Sequence, residues 1–244
     1  MKKVRLDILL VEKGLTESRS LATRMIMAGE VLVNGQLAVK PGQIVNADAE
    51  ISLKTKPPFV SRGGEKLLAA LTAFRLTDLD GFVCVDVGAS TGGFTDCLLQ
   101  HGAARIYAVD VGYGQLHEKL RKDPRVINME RTNARSITAF PEAIDLVTVD
   151  ASFISLKVLL PVIRIWAAGN PLRVIALVKP QFEAGRELAA KGKGVIRDEQ
   201  VREKLVAEVL DFAQREGFIP QGVQSSPLTG PKGNREFLIN LALN

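Results

Sequence analysis

The chain contains few cysteines, histidines and tryptophans, and these shortages argue against several classes of function. Its 244 residues include two cysteines, two histidines and one tryptophan. The cysteines and histidines are scattered without the spacing of metal ligands, so we expect no bound metal. Both cysteines fall in apolar stretches, and the N-terminus lacks the apolar segment of a signal peptide. Together these features indicate a reducing, cytoplasmic setting.

Long apolar runs are also missing. No segment approaches the ~20 apolar residues that span a bilayer, so we expect no membrane insertion. Hydrophobic residues make up 46% and charged residues 24% of the chain, as in ordinary globular proteins. The length of 244 residues allows one or two domains with a substantial core.

The positive charge of the chain is concentrated near its N-terminus. Residues 1–66 contain eleven Lys and Arg against seven Asp and Glu, a net charge of +4. Residues 67–244 contain 21 against 20, a net charge of +1. Such asymmetry is typical of a chain with a nucleic-acid-binding module, although acidic membrane lipids attract the same charge. Charge alone therefore leaves both partners open.

The stretch from Val83 to Thr95 has the pattern of a buried strand, a glycine turn and the start of a helix. It reads Val-Cys-Val-Asp-Val-Gly-Ala-Ser-Thr-Gly-Gly-Phe-Thr. The spacing differs from the GxGxxG dinucleotide fingerprint, and no Gly-Lys-Ser/Thr of a P-loop follows. The stretch resembles motif I of the class I S-adenosylmethionine (SAM) methyltransferases, although a tight turn in any α/β protein has a similar pattern. Asp110, at the end of the next strand, favours nucleotide binding because a carboxylate there can accept bonds from ribose hydroxyls.

Apolar strands and amphipathic helices alternate from residue 82 onward. Strands are predicted at 82–87, 105–110, 125–129, 144–150, 173–179, 218–224 and 235–243, and helices at 92–101, 114–121, 155–167 and 198–216. This alternation predicts an α/β fold with a mostly parallel seven-stranded sheet and helices on both faces. The short connection between the last two strands predicts an antiparallel pair, which is the Rossmann-like arrangement of class I SAM-dependent methyltransferases.

Residues 4–53 are predicted to form a separate small module with two helices and a small sheet. They contain Arg5-Leu-Asp, Ser18-Arg19-Ser20, Arg24, Gly29-x-Val-x-Val-Asn-Gly and Pro41-Gly42, a set that resembles the S4 RNA-binding domain. The resemblance implies an α+β domain that holds structured RNA. Arg5, Arg19 and Arg24 would bind phosphates through their guanidinium groups, unless they are simply solvated surface residues.

A segment rich in proline and glycine separates this module from the α/β region. Residues 54–64 contain Pro57-Pro58 and Gly63-Gly64, which favour a linker over regular structure. We therefore predict two domains, at residues 1–60 and 61–244. A helix is predicted to open at Ser61-Arg62-Gly63-Gly64-Glu65-Lys66 and to run to about Phe74.

Four charged residues lie at the ends of predicted elements, on the sheet edge where ligands bind in such folds. Lys66 opens a helix, Asp150 and Lys179 end two strands, and Glu236 begins the last strand. Structural ion pairs would explain each one singly. Together, around a Gly-Gly-Phe motif, they resemble the FtsJ-type RNA ribose 2′-O-methyltransferases. Three of these residues lie in short sequence motifs that are more specific: Ser61-Arg-Gly-Gly-x-Lys66-Leu, Asp150-x-Ser-Phe-Ile-Ser155-Leu and Lys179-Pro-Gln-Phe-Glu183. Together with the S4 domain, these motifs resemble the TlyA (haemolysin A) family.

This resemblance implies SAM-dependent methylation of cytidine 2′-hydroxyls in 16S and 23S ribosomal RNA, with ribosomal RNA or ribosomal subunits as partner. It gives catalytic roles to Lys66, Asp150, Lys179 and Glu236, with Lys179 as the base and Lys66 orienting the ribose or phosphate. The predicted cofactor-binding set is Asp86, Gly88, Ala89, Ser90, Gly92, Gly93, Phe94, Asp110, Asn133 and Asp150. The predicted RNA-binding set is Arg5, Arg19, Arg24 and Arg62.

The sequence leaves simpler or different functions open. A pore-forming haemolysin needs an exposed apolar hairpin or a strongly amphipathic membrane helix, and the sequence contains neither pattern. An RNA-binding assembly factor with an inactive methyltransferase fold would not need the four charged residues, all of which are present. For Asp86 and Asn133, the alternative to cofactor binding is a role in bracing turns.

Overall fold

The computed structural model describes residues 3–54, 57–185 and 194–244. These residues form two compact units, one ending at Pro57 and the other running from Pro58 to Asn244. The boundary lies a few residues before the predicted one at residue 60. Each unit has its own hydrophobic core.

Over residues 3–54, the smaller unit is an α+β module with two helices and five short strands. Its elements are β1 (Lys3–Arg5), α1 (Leu6–Glu12), α2 (Arg19–Met27), β2 (Val31–Val33), β3 (Gln36–Leu37), β4 (Ile44–Asn46) and β5 (Ile51–Leu53). Strands β1 and β4 pair antiparallel, and β2 lies between β3 and β5 in an antiparallel sheet. Ser18 caps α2, since its hydroxyl accepts the N–H of Leu21 at 3.2 Å. Leu6, Leu10 and Ile26 are fully buried in the core of this unit.

The larger unit is built on one seven-stranded sheet. Its elements are α3 (Gly63–Ala73), β6 (Val83–Val87), α4 (Gly93–Gln100), β7 (Arg105–Val109), α5 (Glu118–Arg121), β8 (Val126–Met129), β9 (Leu146–Val149), α6 (Leu156–Trp166), β10 (Leu172–Val178), α7 (Pro180–Glu183), α8 (Glu199–Arg215), β11 (Ile219–Ser225) and β12 (Phe237–Leu243). The strand order is β11-β12-β10-β9-β6-β7-β8. Strand β12 runs antiparallel to both neighbours, whereas the other described pairs of this sheet are parallel. The predicted α/β fold with one antiparallel strand near its end is confirmed.

Apolar side chains cover both faces of this sheet, because successive residues of a strand point to opposite sides. On β6, Val85 and Val87 join the cluster that contains residues of α6 and α8, whereas Cys84 joins the cluster that contains residues of α3 and α4. Leu160 and Leu67 are fully buried helix residues, one in each cluster. Burial of one leucine side chain stabilises a fold by roughly 1.5–3 kcal/mol, so these clusters fix the strand ends that carry polar residues.

Two helices differ from the sequence prediction. The helix predicted at 114–121 is shortened to Glu118–Arg121, because side-chain acceptors hold the preceding loop in place of helical hydrogen bonds. The sequence pattern also does not predict α7, which begins at Pro180. Proline fits the first position of a helix, where its missing N–H would have had no helical partner.

Candidate active site

Three of the four predicted catalytic residues lie at one edge of the sheet, next to the ends of neighbouring strands. Asp150 follows β9, Lys179 follows β10 and Glu236 precedes β12, and these strands are adjacent in the sheet. Because β12 is antiparallel, its beginning lies at the edge where β9 and β10 end. Val178 pairs with Phe237, so the next position along this ladder brings Lys179 opposite Glu236. The sheet itself therefore gathers the three side chains.

The four charged side chains form two ion pairs. Lys66 Nζ lies 2.6 Å from Glu236 Oε2, and Lys179 Nζ lies 2.7 Å from Asp150 Oδ1. Lys66 comes from the first turn of α3, so this helix supplies the partner of the β12 carboxylate. The Glu236 side chain is fully buried and the Lys179 side chain is 8% exposed. Removing one partner of a buried pair leaves an uncompensated charge, which typically destabilises a protein by about 3–5 kcal/mol.

Lys179 has further acceptors besides its carboxylate partner. Its Nζ donates to Ser152 Oγ at 3.0 Å and to the Asp150 carbonyl oxygen at 3.4 Å. The Lys179 ammonium thus makes two hydrogen bonds to these oxygens and an ion pair with the Asp150 carboxylate. Lys179 is therefore held in one orientation beside the loop that follows β9. Among the described residues, Asp150 Oδ1 and Glu236 Oε1 are both buried without a hydrogen-bond partner, although Oδ1 lies in the ion pair with Lys179.

Two adjoining cavities open at this edge of the sheet. The first has a volume of about 510 Å³ and the second about 460 Å³. Both are lined by Gly88, Ser90 and Asp150, so they meet at the glycine turn. Other members of the predicted sets that line the first cavity are Arg62, Lys66, Ala89, Gly93 and Phe94.

The second cavity has the polar groups expected of a nucleoside pocket. Asp110 lines it, and the Asp110 carboxylate accepts the backbone N–H of Ser90 at 2.8 Å and that of Gly112 at 2.7 Å. Asn133 also lines it, while its side-chain oxygen accepts the N–H of Arg135 at 3.0 Å. Asn133 therefore braces a turn, as the simpler interpretation has it, and still forms part of the cavity wall.

Two glycines of the motif are needed for different reasons. Gly88 has a φ of +85°, and a Cβ there would lie 2.8 Å from the Asp150 carbonyl oxygen. Gly88 thus lets the ends of β6 and β9 approach each other at the cavities. Gly92 has a φ of +96°, but a Cβ there would collide with Leu120 of α5, and Gly92 lines neither cavity. The geometry therefore gives Gly92 a packing role, and its predicted approach to the cofactor stays a prediction.

Asp86, another member of the predicted cofactor-binding set, points into the core and lines neither cavity. Its carboxylate accepts hydrogen bonds from Thr95 Oγ1 at 2.7 Å and Thr148 Oγ1 at 3.2 Å, and the residue is fully buried. Burial raises the pKa of Asp86 to about 7, against the opposing effect of the two hydroxyl donors. Asp86 thus braces β6 against β9 and the start of α4, and its predicted contact with the cofactor stays a prediction.

In the smaller unit, one carboxylate holds two of the three predicted RNA-binding arginines. Asp7 accepts Arg5 Nε and Nη2, both at 3.0 Å, and Arg19 Nη2 at 2.9 Å. The hydrogen bonds from Arg5, supported by those from Arg19, hold the pKa of Asp7 well below its usual range. The Arg5 and Arg19 side chains remain 46% and 59% exposed, so each presents part of its guanidinium to solvent. Arg24 is exposed on α2.

Ser152 and Glu183, which lie just after β9 and β10, are polar residues absent from the predicted sets. Ser152 accepts a hydrogen bond from Lys179, as described above. Glu183 Oε2 accepts the hydroxyl of Ser155 at 2.5 Å, and its Oε1 accepts the N–H of Leu156 at 2.8 Å. Glu183 thereby ties the turn after β10 to the loop after β9. Ser152 lies in the motif that begins at Asp150, and Glu183 ends the motif that begins at Lys179. These two motifs are the sequence signal from which both residues could have been found.

The larger unit matches the FtsJ-like methyltransferase family over residues 59–243, and the smaller unit matches the S4 domain over residues 4–51. The 16S/23S rRNA (cytidine-2′-O)-methyltransferase TlyA of Mycobacterium tuberculosis is 46% identical, with 98% of this chain and 89% of that protein covered. Hemolysin A of Brachyspira hyodysenteriae is 41% identical, with 98% of this chain and 100% of that protein covered.

A solved structure from Streptococcus thermophilus that carries a hemolysin name is also similar. It has a TM-score of 0.75 and 44% identity, with 100% of this chain and 90% of that chain covered. Methyltransferase and hemolysin names thus occur on relatives of comparable similarity. Over residues 3–54, 57–185 and 194–244, the structure contains no helix with the length and apolar character of a membrane span.

Proposed function

This chain belongs to the TlyA family of FtsJ-like methyltransferases with an N-terminal S4 domain, and from that premise we propose that it methylates ribose 2′-hydroxyls of ribosomal RNA. SAM is the cofactor of this family. The proposal rests on one observation: two ion pairs, Lys66–Glu236 and Lys179–Asp150, lie beside two adjoining cavities. One cavity has the groups for a nucleoside, and the other has cations for an RNA backbone.

The second cavity fits SAM in the chemistry of its donor and acceptor groups. A carboxylate has about four lone-pair sites, so Asp110 can accept ribose hydroxyls in addition to its two backbone N–H groups. Asn133 offers an amide to the adenine, and Gly88 leaves open the space that a Cβ would fill. When bound, SAM supplies a methyl group activated by a sulfonium, so no metal is needed to activate it.

The first cavity is then the place for the target ribose of the RNA. Arg62 and Lys66 offer cations to the ribose or to its phosphate. The 2′-hydroxyl must lose its proton as its oxygen attacks the methyl carbon in line. We infer that Lys179, oriented by Asp150 and Ser152, receives this proton once it has released one of its own. The rest of the rate enhancement would come from alignment of the reacting atoms.

The smaller unit supplies the expected contacts with folded RNA. Its exposed arginines can bind phosphates, and the net charge of residues 1–66 is +4. By analogy with the Mycobacterium tuberculosis relative, we propose that the target is a cytidine in 16S or 23S ribosomal RNA. Such a substrate implies that the protein acts in the cytoplasm.

The proposal is tested by incubating the protein with unmodified 30S and 50S subunits and SAM labelled in its methyl group, followed by mapping of the labelled nucleotide. We expect label in the ribose of a cytidine with wild type and a loss of label with Lys179→Ala. Lys157 offers a matched control, because it also pairs with a carboxylate, Glu208 at 3.2 Å, but Glu208 lines neither cavity, whereas Asp150, the partner of Lys179, lines both. No transfer by wild type, or equal loss with Lys157→Ala, would refute the proposal.

The hemolysin names of two relatives call for a separate test of a pore-forming function. Leakage of dye from liposomes of anionic and of neutral lipid would measure it. We expect no leakage by wild type under conditions in which it methylates ribosomal subunits. Leakage without methyl transfer would favour the pore-forming alternative.

A further inference from the structure

One carboxylate outside both cavities determines the position of a wall of the second cavity. Glu130 follows β8, and its side chain is 8% exposed. Its Oε1 accepts the backbone N–H of Gln115 at 2.7 Å and that of Leu116 at 3.1 Å. Its Oε2 accepts Arg121 Nη2 at 3.2 Å and Asn128 Nδ2 at 3.1 Å. A single side chain thus joins the end of β8, α5 and the loop before α5.

The loop that Glu130 holds lies between β7 and α5 and lines the second cavity through Val111 and Gln115. Gln115 also reaches the glycine turn, because its Oε1 accepts the hydroxyl of Ser90 at 3.1 Å. The beginning of the loop is held by Asp110, and its end is held by Glu130. Loss of Glu130 would remove the carboxylate that accepts two backbone N–H groups and would release Gln115 from its place at the cavity wall.

The charge of Glu130 is constant over the pH range in which a protein of this kind is assayed. Burial by itself would raise the pKa of Glu130, but hydrogen bonds from Asn128 and from the backbone of Leu116, Gln115 and Gly114 lower it to about 2. Glu130 is therefore ionised from mildly acidic to alkaline pH. Any effect of Glu130 on a ligand of the cavity should be the same throughout that range.

We propose that Glu130 is a positioning residue for the nucleoside portion of SAM, acting through the loop that carries Gln115. It lines neither cavity, so it acts on the cofactor through its hydrogen bonds to the loop. The identity of the ligand rests on the proposed function, whereas the contribution of Glu130 rests on the geometry of the loop.

The test compares Glu130→Ala and Glu130→Gln with a matched control, Glu142→Gln. Glu142 accepts Arg105 Nη1 at 2.8 Å and the Tyr107 hydroxyl at 2.7 Å, also bridges side chains, and lines neither cavity. Calorimetry would measure the Kd of SAM and of 5′-methylthioadenosine, which keeps the nucleoside and lacks the amino-acid portion. Thermal melting would confirm that each full-length variant is folded.

We expect Glu130→Ala to weaken both ligands by about tenfold, the factor that corresponds to roughly 1.4 kcal/mol and to the loss of one or two hydrogen bonds to a charged group. Glu130→Gln should weaken them less, because its amide oxygen still accepts the N–H groups of the loop. Glu142→Gln should leave both affinities unchanged. The ratio of the Kd of Glu130→Ala to the Kd of wild type should not vary between pH 6 and pH 9. Turnover of Glu130→Ala at saturating SAM should stay near that of wild type.

Each failure has a different meaning. Absence of binding by the wild-type chain would overturn the cofactor assignment and with it the proposed function. Normal binding by wild type and by both Glu130 variants would overturn the role of Glu130 and leave the proposed function intact. Loss of SAM binding with unchanged 5′-methylthioadenosine binding would also overturn it, because the effect would then lie on the amino-acid portion. If Glu130→Ala fails to fold, Glu130→Gln decides the question.

Discussion

Lys179 and Asp150 share so many contacts that they are expected to act as one unit. Lys179 forms an ion pair with the Asp150 carboxylate and donates hydrogen bonds to the Asp150 carbonyl oxygen and to the Ser152 hydroxyl. We expect Lys179→Ala to slow single-turnover methylation by about 10²–10⁴-fold, the usual contribution of a general base. Asp150→Asn should cause a loss of similar size, and the double variant should be no slower than the slower single variant. A double-mutant cycle of single-turnover rates measures this coupling, and losses that multiply would show that the two residues act separately.

Asp86 should make the stability of the protein depend on pH. Burial raises its pKa from 3.8 to about 7, so the folded state keeps a proton that the unfolded state has already released. The contribution of Asp86 to the free energy of unfolding should therefore fall as the pH rises from about 4 to about 7, and should be constant above that range. Asp86→Asn removes this dependence and can keep hydrogen bonds with Thr95 and Thr148.

The check is urea denaturation of wild type and Asp86→Asn at several pH values between 4 and 8. The free energy of unfolding of wild type relative to the variant should decrease across that interval. A constant difference would mean that Asp86 has the same protonation state in the folded and unfolded chains. The opposite slope would mean that Asp86 is stabilised as a carboxylate.

Single residues were predictable from the sequence where the topology alone fixes their place. The ends of parallel strands meet at one edge, so Asp150 and Lys179 could be assigned to a common site from their positions. Which lysine pairs with which carboxylate could not be predicted from the sequence, because the pairing of Lys66 with Glu236 depends on the placement of α3. The direction of the Asp86 side chain, which points into the core, could not be predicted either, because sequence spacing does not tell whether a strand residue just before the turn faces the core or the cavity.

At the scale of elements, the turn between β6 and α4 depends on the space at Gly88. Gly88→Ala would place a Cβ 2.8 Å from the Asp150 carbonyl oxygen and would strain a residue with φ of +85°. The ends of β6 and β9 must then separate, at the point where the two cavities meet. We expect Gly88→Ala to weaken SAM binding by more than tenfold. We expect it to lower turnover as well, because the shift would displace Asp150, the carboxylate that pairs with Lys179.

Gly169→Ala provides the matched control for this substitution. Gly169 has nearly the same φ, +84°, but a Cβ there would have no atom within 4 Å. Its replacement should cost only about 1 kcal/mol of backbone strain and leave SAM affinity unchanged. Calorimetry and thermal melting of both variants separate the two effects. Equal affinities for SAM would show that close approach at Gly88 is not needed for the cavity.

Elements were predictable where a hydrophobic pattern fixes them. Most strands of the larger sheet follow from short apolar runs, and their alternation with helices predicts a mostly parallel sheet, whereas the order of the strands is known only from the structure. The helix predicted from residue 114 is an exception, because Asp110 and Glu130 bind the backbone N–H groups of the preceding loop. Glu130 lies 15 residues beyond Gln115 in the chain, so no local rule reveals that its carboxylate replaces helical hydrogen bonds there.

At the scale of the whole molecule, we expect the smaller unit to contribute to the binding of RNA and the larger unit to hold the cofactor and the target ribose. The smaller unit has its own core and exposed arginines, and the larger unit contains both cavities and both ion pairs. Contacts with phosphates release counterions, so binding of ribosomal RNA by the full chain should weaken steeply with salt. Binding of SAM should depend on salt far less, because the proposed contacts of the second cavity are mostly hydrogen bonds.

The boundary between the units can be tested by truncation, because residues 58–60 are bound to the larger unit. Phe59 is 6% exposed and packs in the cluster with α3 and α4. The Pro58 carbonyl accepts Gln100 Nε2 at 2.9 Å, and the Val60 N–H donates to Asp96 Oδ2 at 2.9 Å. A chain of residues 58–244 should therefore fold, bind SAM nearly as well as the full chain and fail to methylate ribosomal subunits. A chain of residues 61–244 should be less stable by about 3–5 kcal/mol, the usual effect of removing a buried phenylalanine.

Urea denaturation, calorimetry with SAM and methyl transfer to ribosomal subunits, each on the three chains, measure these outcomes. The comparison of the two truncated chains isolates the segment of residues 58–60, since both lack the smaller unit. Equal stability of the two would show that this segment is a linker, as the sequence alone suggests from its prolines. Full methyl transfer by residues 58–244 would show that the larger unit selects its RNA without the arginines of the smaller one. Loss of SAM binding in residues 58–244 would show that the cofactor site needs both units.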